Sequence, residues 1–337
     1  MGKRRANLKW SEIKMSDLEL TKLLLHFSQT NKAERKSERT IAWYPQMIGY
    51  FVKFLESNGI ITTLGNLNAR NVREFLVHEQ SRGLSPFTVA GEARSLKAFS
   101  SWLLREGYTA ENVLATIKVP KTPSKIIEPL ISTEIETLLQ AENPLTAYGS
   151  RNIALLTTLL DTGLRCSEIS GLALADAHID QGYLKVKGKG DRERYVPLGA
   201  LAQKLLWRYV FHFRPEPVND ANDFLFLSLE GKCLQSNAIK LLLKRWGKKA
   251  GVPRLHAHLC RHTYATNFLT RQCGDVFMLK QILGHSTLEM VNRYVHYASS
   301  QALIQSRPSS PVDLMNLKKL RGYKVDQALR DKRENNS

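Results

Sequence analysis

The chain has 337 residues, 49 Lys and Arg against 31 Asp and Glu, and a formal net charge of +18. A hydrophobic content of 43% supplies packed cores and excludes global disorder, and no apolar run approaches the ~18 residues that span a bilayer. Cys166, Cys233, Cys260 and Cys273 form no C-x-x-C pair, so neither a zinc ribbon nor a disulfide framework is expected, and the default is a metal-free chain in a reducing compartment.

The length suggests two domains. A sequence pI near 9.8 is the electrostatic footprint of a nucleic-acid binder, with a basic enzyme, a ribosome-associated protein or a membrane-surface protein as the plainer alternatives. In chain order, residues 1–14 open with Lys3, Arg4, Arg5 and Lys9 and no periodicity, which predicts a flexible basic arm. The start, MGKRRANLKW, lacks the apolar stretch of a secretory signal. LELTKLLLHF, TIAWYPQMIGYFVKFLES, NVREFLVHEQ and SPFTVAGEARSLKAFSSWLLREG place apolar residues at steps of three and four, so residues 15–107 are expected to form a four-helix domain. Residues 108–129 read as a linker, ending in the proline- and lysine-rich KVPKTPSKIIEP.

A second domain is expected over 130–305. Thr133 with Glu136 reads as a capping box that starts its first helix. Tyr183–Lys187 and Arg194–Leu198 alternate as strands around the turn-like Gly188-Lys189-Gly190-Asp191, and a short strand is expected near Leu172–Leu174. Helical periodicity then returns at 201–211, 237–250, 258–269, 277–283 and 288–298. The predicted class is mainly α with a small antiparallel sheet. In the tail, 306–337, Leu314, Leu317 and Leu320 fall at three-residue steps and outline one apolar helical face, so the tail reads either as an arm that docks on a neighbouring protomer or as a frayed end.

Four constellations carry chemistry. In Asp161-Thr162-Gly163-Leu164-Arg165-Cys166-Ser167-Glu168, a glycine ends one helix and Arg165 stands near the start of the next, three residues from Glu168; taken alone, a surface ion pair explains this as well. In His256-Ala257-His258-Leu259-Cys260-Arg261-His262, helical spacing puts His258 and Arg261 on one face, a proton carrier beside a planar cation as a phosphodiester requires. The same segment could instead offer His256, His258 and His262 to zinc. His285 precedes a short helix capped by Ser286, with Tyr294 two turns in; a free phenol ionises near pH ~10, so Tyr294 is a nucleophile only where cations stabilise its phenolate. Lys189 occupies the hairpin tip, where an ammonium is either merely solvated or delivered to a leaving group.

Taken together, TGLRCSEISGL, KGKGDRERYVPL, HLCRHTYATNFL and LGHSTLEMVNRYVH resemble, in order, the four catalytic blocks of the tyrosine recombinase (phage-type integrase) family, in its Xer-like and simple transposon integrase group. The likeness is clearest over 130–300 and weaker over 15–105, which is similar to the family's SAM-like core-binding domain. It implies that Arg165 and Arg261 clamp the scissile phosphate, Tyr294 forms a 3′-phosphotyrosyl link, and Lys189 protonates the departing 5′-oxygen. His258 would handle the tyrosine proton, His285 would hydrogen-bond the phosphate, and Glu168 would support the site. Because one ester replaces another, neither ATP nor a metal is implied. The implied partners are double-stranded DNA recombination sites and three further copies of the chain in a tetrameric synapse, with a partner recombinase or directionality factor as optional additions and no membrane. The implied setting is the cytoplasm of a bacterium or archaeon, at the nucleoid, and the implied form is a two-domain clamp on DNA. Two rivals remain open at this level: a metal-dependent nuclease built on the three histidines, and a non-catalytic DNA-binding protein.

Overall fold

The computed structural model describes residues 14–123, 127–188, 192–218, 223–271, 273–285, 287–292 and 294–295. The basic arm up to residue 13, Lys189, Ser286 and the tail 306–337 lie outside these residues. The chain divides into two compact units, Met1–Lys125 and Ile126–Ser337.

In the first unit, α1 (Leu20–Ala33), α2 (Glu38–Ser57), α3 (Ala69–Ser81) and α4 (Pro86–Arg105) follow the apolar periodicity. Short polar side chains start three of them. Ser37 accepts from the Thr40 N–H, Asn68 from the Asn71 N–H and Ser85 from the Thr88 N–H, so each satisfies a backbone donor left open at a helix start. Pro86 follows its cap at the first helical position, where a missing N–H costs nothing. The inward stripes meet in an aromatic core of Phe27, Phe51, Phe75, Phe99 and Trp102, all at most 2% exposed. Phe99 stacks on Trp102 with 11° between ring planes.

The second unit is helical with one small sheet. Its helices are α5 (Ser132–Gln140), α6 (Ala147–Thr162), α7 (Cys166–Ser170), α8 (Ala200–Arg208), α9 (Ser236–Lys249), α10 (Ala257–Thr270) and α11 (Val276–Leu283). Helical residues at 289–292 and 294–295 follow. The strands β1 (Ala177–His178), β2 (Tyr183–Lys187) and β3 (Glu193–Pro197) form an antiparallel sheet in that order. Leu184 pairs with Val196 and Val186 with Arg194, so these four side chains face one side. Leu155, Leu156 and Leu159 of α6 lie in the core with Leu184, Val186 and Val196 of the sheet.

Two local expectations shift. The first strand begins at Ala177, and Leu174–Asp176 is a 3-10 turn. Leu172 and Leu174 instead bond the 223–225 segment, where Leu174 N–H donates to the Asp223 carbonyl and Leu225 N–H to the Leu172 carbonyl, each at 2.8 Å. The start of α5 also moves. Glu134, rather than Glu136, reaches back, accepting from the Ile131 N–H at 3.0 Å. Arg254 selects it, donating to both Glu134 oxygens at 3.0 and 2.6 Å. Among the described residues, no helix is long and apolar enough to cross a membrane.

Candidate active site

The site is assembled from the ends of helices, where backbone groups lack helical partners. Helix α6 stops at Gly163, whose φ of 61° is left-handed. A Cβ there would stand 2.6 Å from Tyr264 and 2.8 Å from Leu283, so glycine is required for space as well as for backbone angle. Two residues on, Arg165 is the N-cap of α7. Its backbone N–H donates to Glu168 Oε2 at 2.8 Å, and its Nη1 donates to Glu168 Oε1 at 2.8 Å and to the Leu283 carbonyl at 3.4 Å. Glu168 is the third residue of α7 and its side chain is 4% exposed, so the pair is no surface ion pair.

Helix α11 contributes its C-terminus. Gly284 is left-handed there, at φ 63°, which ends the helix and leaves the Ile282 and Leu283 carbonyls to outside donors. Arginines take both. Arg261, on α10 and 2% exposed, donates Nη1 to the Gly163 carbonyl and Nη2 to the Leu283 carbonyl, each at 2.8 Å. Its Nη2 also meets His285 Nε2 at 2.7 Å. A guanidinium only donates, so Nε2 accepts and the neutral His285 ring carries its proton on Nδ1. The Leu283 carbonyl is thus shared by Arg165 and Arg261, two residues 96 positions apart in the chain.

Tyr294 is 1% exposed. Its ring lies nearly parallel to His285, at 8° with centroids 6.4 Å apart, and tilts against His262 at 5.3 Å. Burial pulls the Arg261 pKa down, and the neighbouring charge of Arg165 pulls it further, to about 10; Arg261 remains a cation at neutral pH. Burial works to raise the Glu168 carboxyl, but hydrogen bonds from Arg194 and from Arg165 outweigh it and hold the group below the usual carboxylate range.

Of the residues singled out in the sequence, Arg165, Glu168, Arg261, His285 and Tyr294 therefore converge. His258 lies on the exposed side of the first turn of α10. Lys189 lies outside the described residues; the hairpin bearing it is closed by the Gly188 N–H donating to the Arg192 carbonyl at 2.8 Å. The three histidines weighed as zinc ligands enter different surroundings. His256 bonds the Arg254 carbonyl through Nδ1 at 2.7 Å and is exposed, whereas His262 is 5% exposed and bonds the Ile127 carbonyl through Nε2. Burial pushes the Cys260 thiol up to about 12, so it offers no thiolate beside them. Among the described residues, no cluster of three or more His, Cys, Asp or Glu could hold a metal ion.

The residue that sequence reasoning missed is Arg194. It donates Nη1 and Nη2 to the two Glu168 oxygens at 3.1 and 2.8 Å, and Nε to the Ile282 carbonyl at 2.7 Å. Its signal was present but faint: strand alternation puts Arg194 on the inward side with Val196, where an arginine needs buried partners.

The phage integrase family model matches residues 129–301, and the model of the phage integrase N-terminal SAM-like domain matches residues 26–107. Tyrosine recombinase XerD of Listeria innocua is 30% identical over 275 residues, covering 81% of this chain and 92% of the relative. Tyrosine recombinase XerC of Oceanobacillus iheyensis is 32% identical over 279 residues, covering 81% and 91%. Among solved structures, the XerH site-specific recombinase bound to a palindromic difH substrate is similar with a TM-score of 0.67 at 23% identity, covering 82% of each chain. A lambda integrase dimer bound to a COC′ core site is similar with a TM-score of 0.65 at 17% identity, covering 81% of this chain and 97% of the other. These two structural likenesses bear on the fold.

Proposed function

The chain belongs to the phage integrase family of site-specific tyrosine recombinases, and from that membership we propose how its residues divide the cutting and rejoining of duplex DNA. Arg165 and Arg261 hold the two non-bridging oxygens of the scissile phosphate and stabilise the charge that grows there. The Tyr294 phenolate attacks phosphorus in line, forming the Tyr–O–P bond as the P–O5′ bond breaks, which leaves a 3′-phosphotyrosyl link and a free 5′-hydroxyl. Lys189 gives the departing oxygen its proton, and His258 receives the tyrosine proton. His285 hydrogen-bonds the phosphate beside Arg261, and Glu168 orients Arg165. The resolving step reverses these events with another strand's 5′-hydroxyl, so the ester energy is retained and no ATP or metal enters.

Residues 15–107 serve as the core-binding domain and 130–305 as the catalytic domain, joined by the linker 108–129 and closing as a clamp on DNA. Four copies on two recombination sites make the synapse, the tail 306–337 docks on a neighbouring protomer, and a partner recombinase or directionality factor biases the outcome. The chain works in the cytoplasm, at the nucleoid.

The observation that carries this reading is the convergence of Arg165 and Arg261 on one carbonyl, with His285 bonded to the second arginine and Tyr294 against His285. The test is incubation of the purified chain with fragmented genomic DNA of its own host, followed by SDS and capture of protein-bound DNA. The wild type is expected to retain fragments that map to a discrete site, and Tyr294→Phe to retain none. Equal capture by Tyr294→Phe would remove the tyrosine from the reaction.

A further inference from the structure

We propose that Arg194 is a positioning residue of the recombination reaction, one that holds the Glu168 carboxylate toward Arg165 and ties both to the end of α11, so that the two phosphate-binding arginines keep their spacing. The inference rests on the roles given above to Arg165, Arg261 and Tyr294.

Arg194 itself does not serve as a clamp. Its Nε, Nη1 and Nη2 are each committed to a partner within the protein, whereas the bonds described for Arg261 do not use its Nε. Those partners belong to different blocks of sequence: Glu168 follows the first arginine, and Ile282 stands three residues before His285. Arg194 is itself carried by β3, the strand that leaves the hairpin bearing Lys189. One guanidinium therefore fastens the first two blocks to the residue just before the last, while the Leu283 carbonyl joins Arg165 of the first block to Arg261 of the third. The turns around it leave room for this group. A Cβ on Gly284 would come within 3.1–3.2 Å of the Arg194 guanidinium, and one on Gly188 within 3.3 Å of its Nη1.

The chemistry explains why a second arginine is needed. The hydrogen bonds described for the Arg165 side chain all use Nη1. Bidentate pairing from Arg194 fills much of the acceptor capacity of a carboxylate that also accepts from the Arg165 N–H. Removing Arg194 leaves a buried carboxylate short of donors, and the nearest remaining donors are those of Arg165. Arg165 is then drawn into a two-pronged pair with Glu168 and away from the phosphate. Misplacement of about 1 Å costs a reaction on the order of 10²-fold.

The loss also creates a pH dependence. The charged groups around Glu168 are Arg165 on its own segment, Arg194 on β3 and Arg261 on α10. With Arg194 gone, burial opposes the carboxylate and fewer cations support it, so Glu168 takes up a proton at higher pH. His258 and His285 are present in every variant, so what they contribute to the pH profile is common to all of them.

The experiment measures covalent adduct formation at saturating DNA on a nicked duplex carrying the captured genomic site, from pH 5.5 to 9, together with the Kd for the same duplex. Arg194→Gln is expected to slow adduct formation about 10²-fold while Kd changes less than about threefold, and to add an acid limb beyond the pH dependence of the wild type. Arg194→Lys, which keeps the charge but not the fork, is expected to recover about tenfold of the loss. In a Glu168→Gln background, adding Arg194→Gln is expected to cost less than about threefold and to add no further acid limb. Costs that multiply independently in the double variant, or an Arg194→Lys variant as fast as wild type, would overturn the proposal. Should Arg194→Gln fail to melt cooperatively, Arg194→Lys alone and in the Glu168→Gln background decides by the same two criteria. Tyr294→Phe runs alongside: an adduct from it would sink the reading of the site, whereas its silence with unimpaired Arg194 variants would sink this inference alone.

Discussion

Arg261 illustrates how a buried cation is made tolerable and useful. Desolvation disfavours its charge, yet two carbonyls and a histidine nitrogen accept from it, and those acceptors lie at the ends of α6 and α11. A lysine would keep the charge but lose the fork that reaches several acceptors at once and, in the proposed mechanism, a phosphate with them. Arg261→Lys is therefore expected to lower the rate of covalent adduct formation by roughly 10²–10³-fold, the scale of losing one donor to a developing oxyanion, with less than about threefold change in Kd for the site. Single-turnover kinetics with a gel-shift titration check this, and an unimpaired rate would contradict it. At this scale the sequence was informative where spacing is local. Arg165 with Glu168 is a neighbouring pair that any helix would bring together. Arg194 was opaque for the opposite reason: strand alternation gives its face, but its partners Glu168 and Ile282 are 26 and 88 residues away.

The elements show where local rules suffice and where distant contacts override them. Helices α9, α10 and α11 begin and end within about two residues of their apolar periodicity, and for α11 both ends are written locally, in the Asp275 cap and the left-handed Gly284. The start of α5 was misplaced because two glutamates could have closed the box, and Arg254, 120 residues away, chooses Glu134. The C-terminus of α6 supplies one prediction. Gly163→Ala forces an L side chain to φ 61° and into Tyr264 and Leu283. The backbone cost of about 1–2 kcal/mol and an overpacking cost of about 1–3 kcal/mol both lower stability, and the Gly163 carbonyl leaves Arg261. Chemical denaturation is expected to show the loss, and a stability within ~0.5 kcal/mol of wild type would contradict it.

Helix α4 supplies another. Glu92 is 1% exposed, and burial, followed by repulsion from Glu79, raises its pKa to about 7, with Arg82 opposing. A carboxyl raised above its unfolded value stabilises the fold fully below the unfolded pKa. That contribution is lost as pH rises from about 4.5 through about 7. Glu92→Gln, which stays neutral, is expected to raise Tm relative to wild type at pH 8 and to lose that advantage by pH 5. A Tm difference that is the same at both pH values would contradict it.

At the scale of the whole molecule, the excess of 18 positive charges is the term most directly tied to DNA. A protein that replaces about six or more phosphate counterions is expected to lose roughly 10³-fold or more in affinity between about 50 and 200 mM salt. A flat dependence in a gel-shift series would mean that the basic surface is not the DNA surface. Cleavage is expected to continue in excess EDTA, since in the proposed mechanism guanidiniums and an ammonium supply the charge a metal would bring; loss on chelation with recovery on adding zinc or magnesium would favour the nuclease alternative. The central claim is that Tyr294 becomes covalently joined to a DNA 3′-phosphate. The most direct test digests the trapped adduct with nuclease and protease and maps the nucleotide remnant by tandem mass spectrometry. The account predicts a 3′-linked nucleotide on Tyr294 and nowhere else. A remnant on another residue such as Tyr264, or a link to a 5′-phosphate, would contradict it.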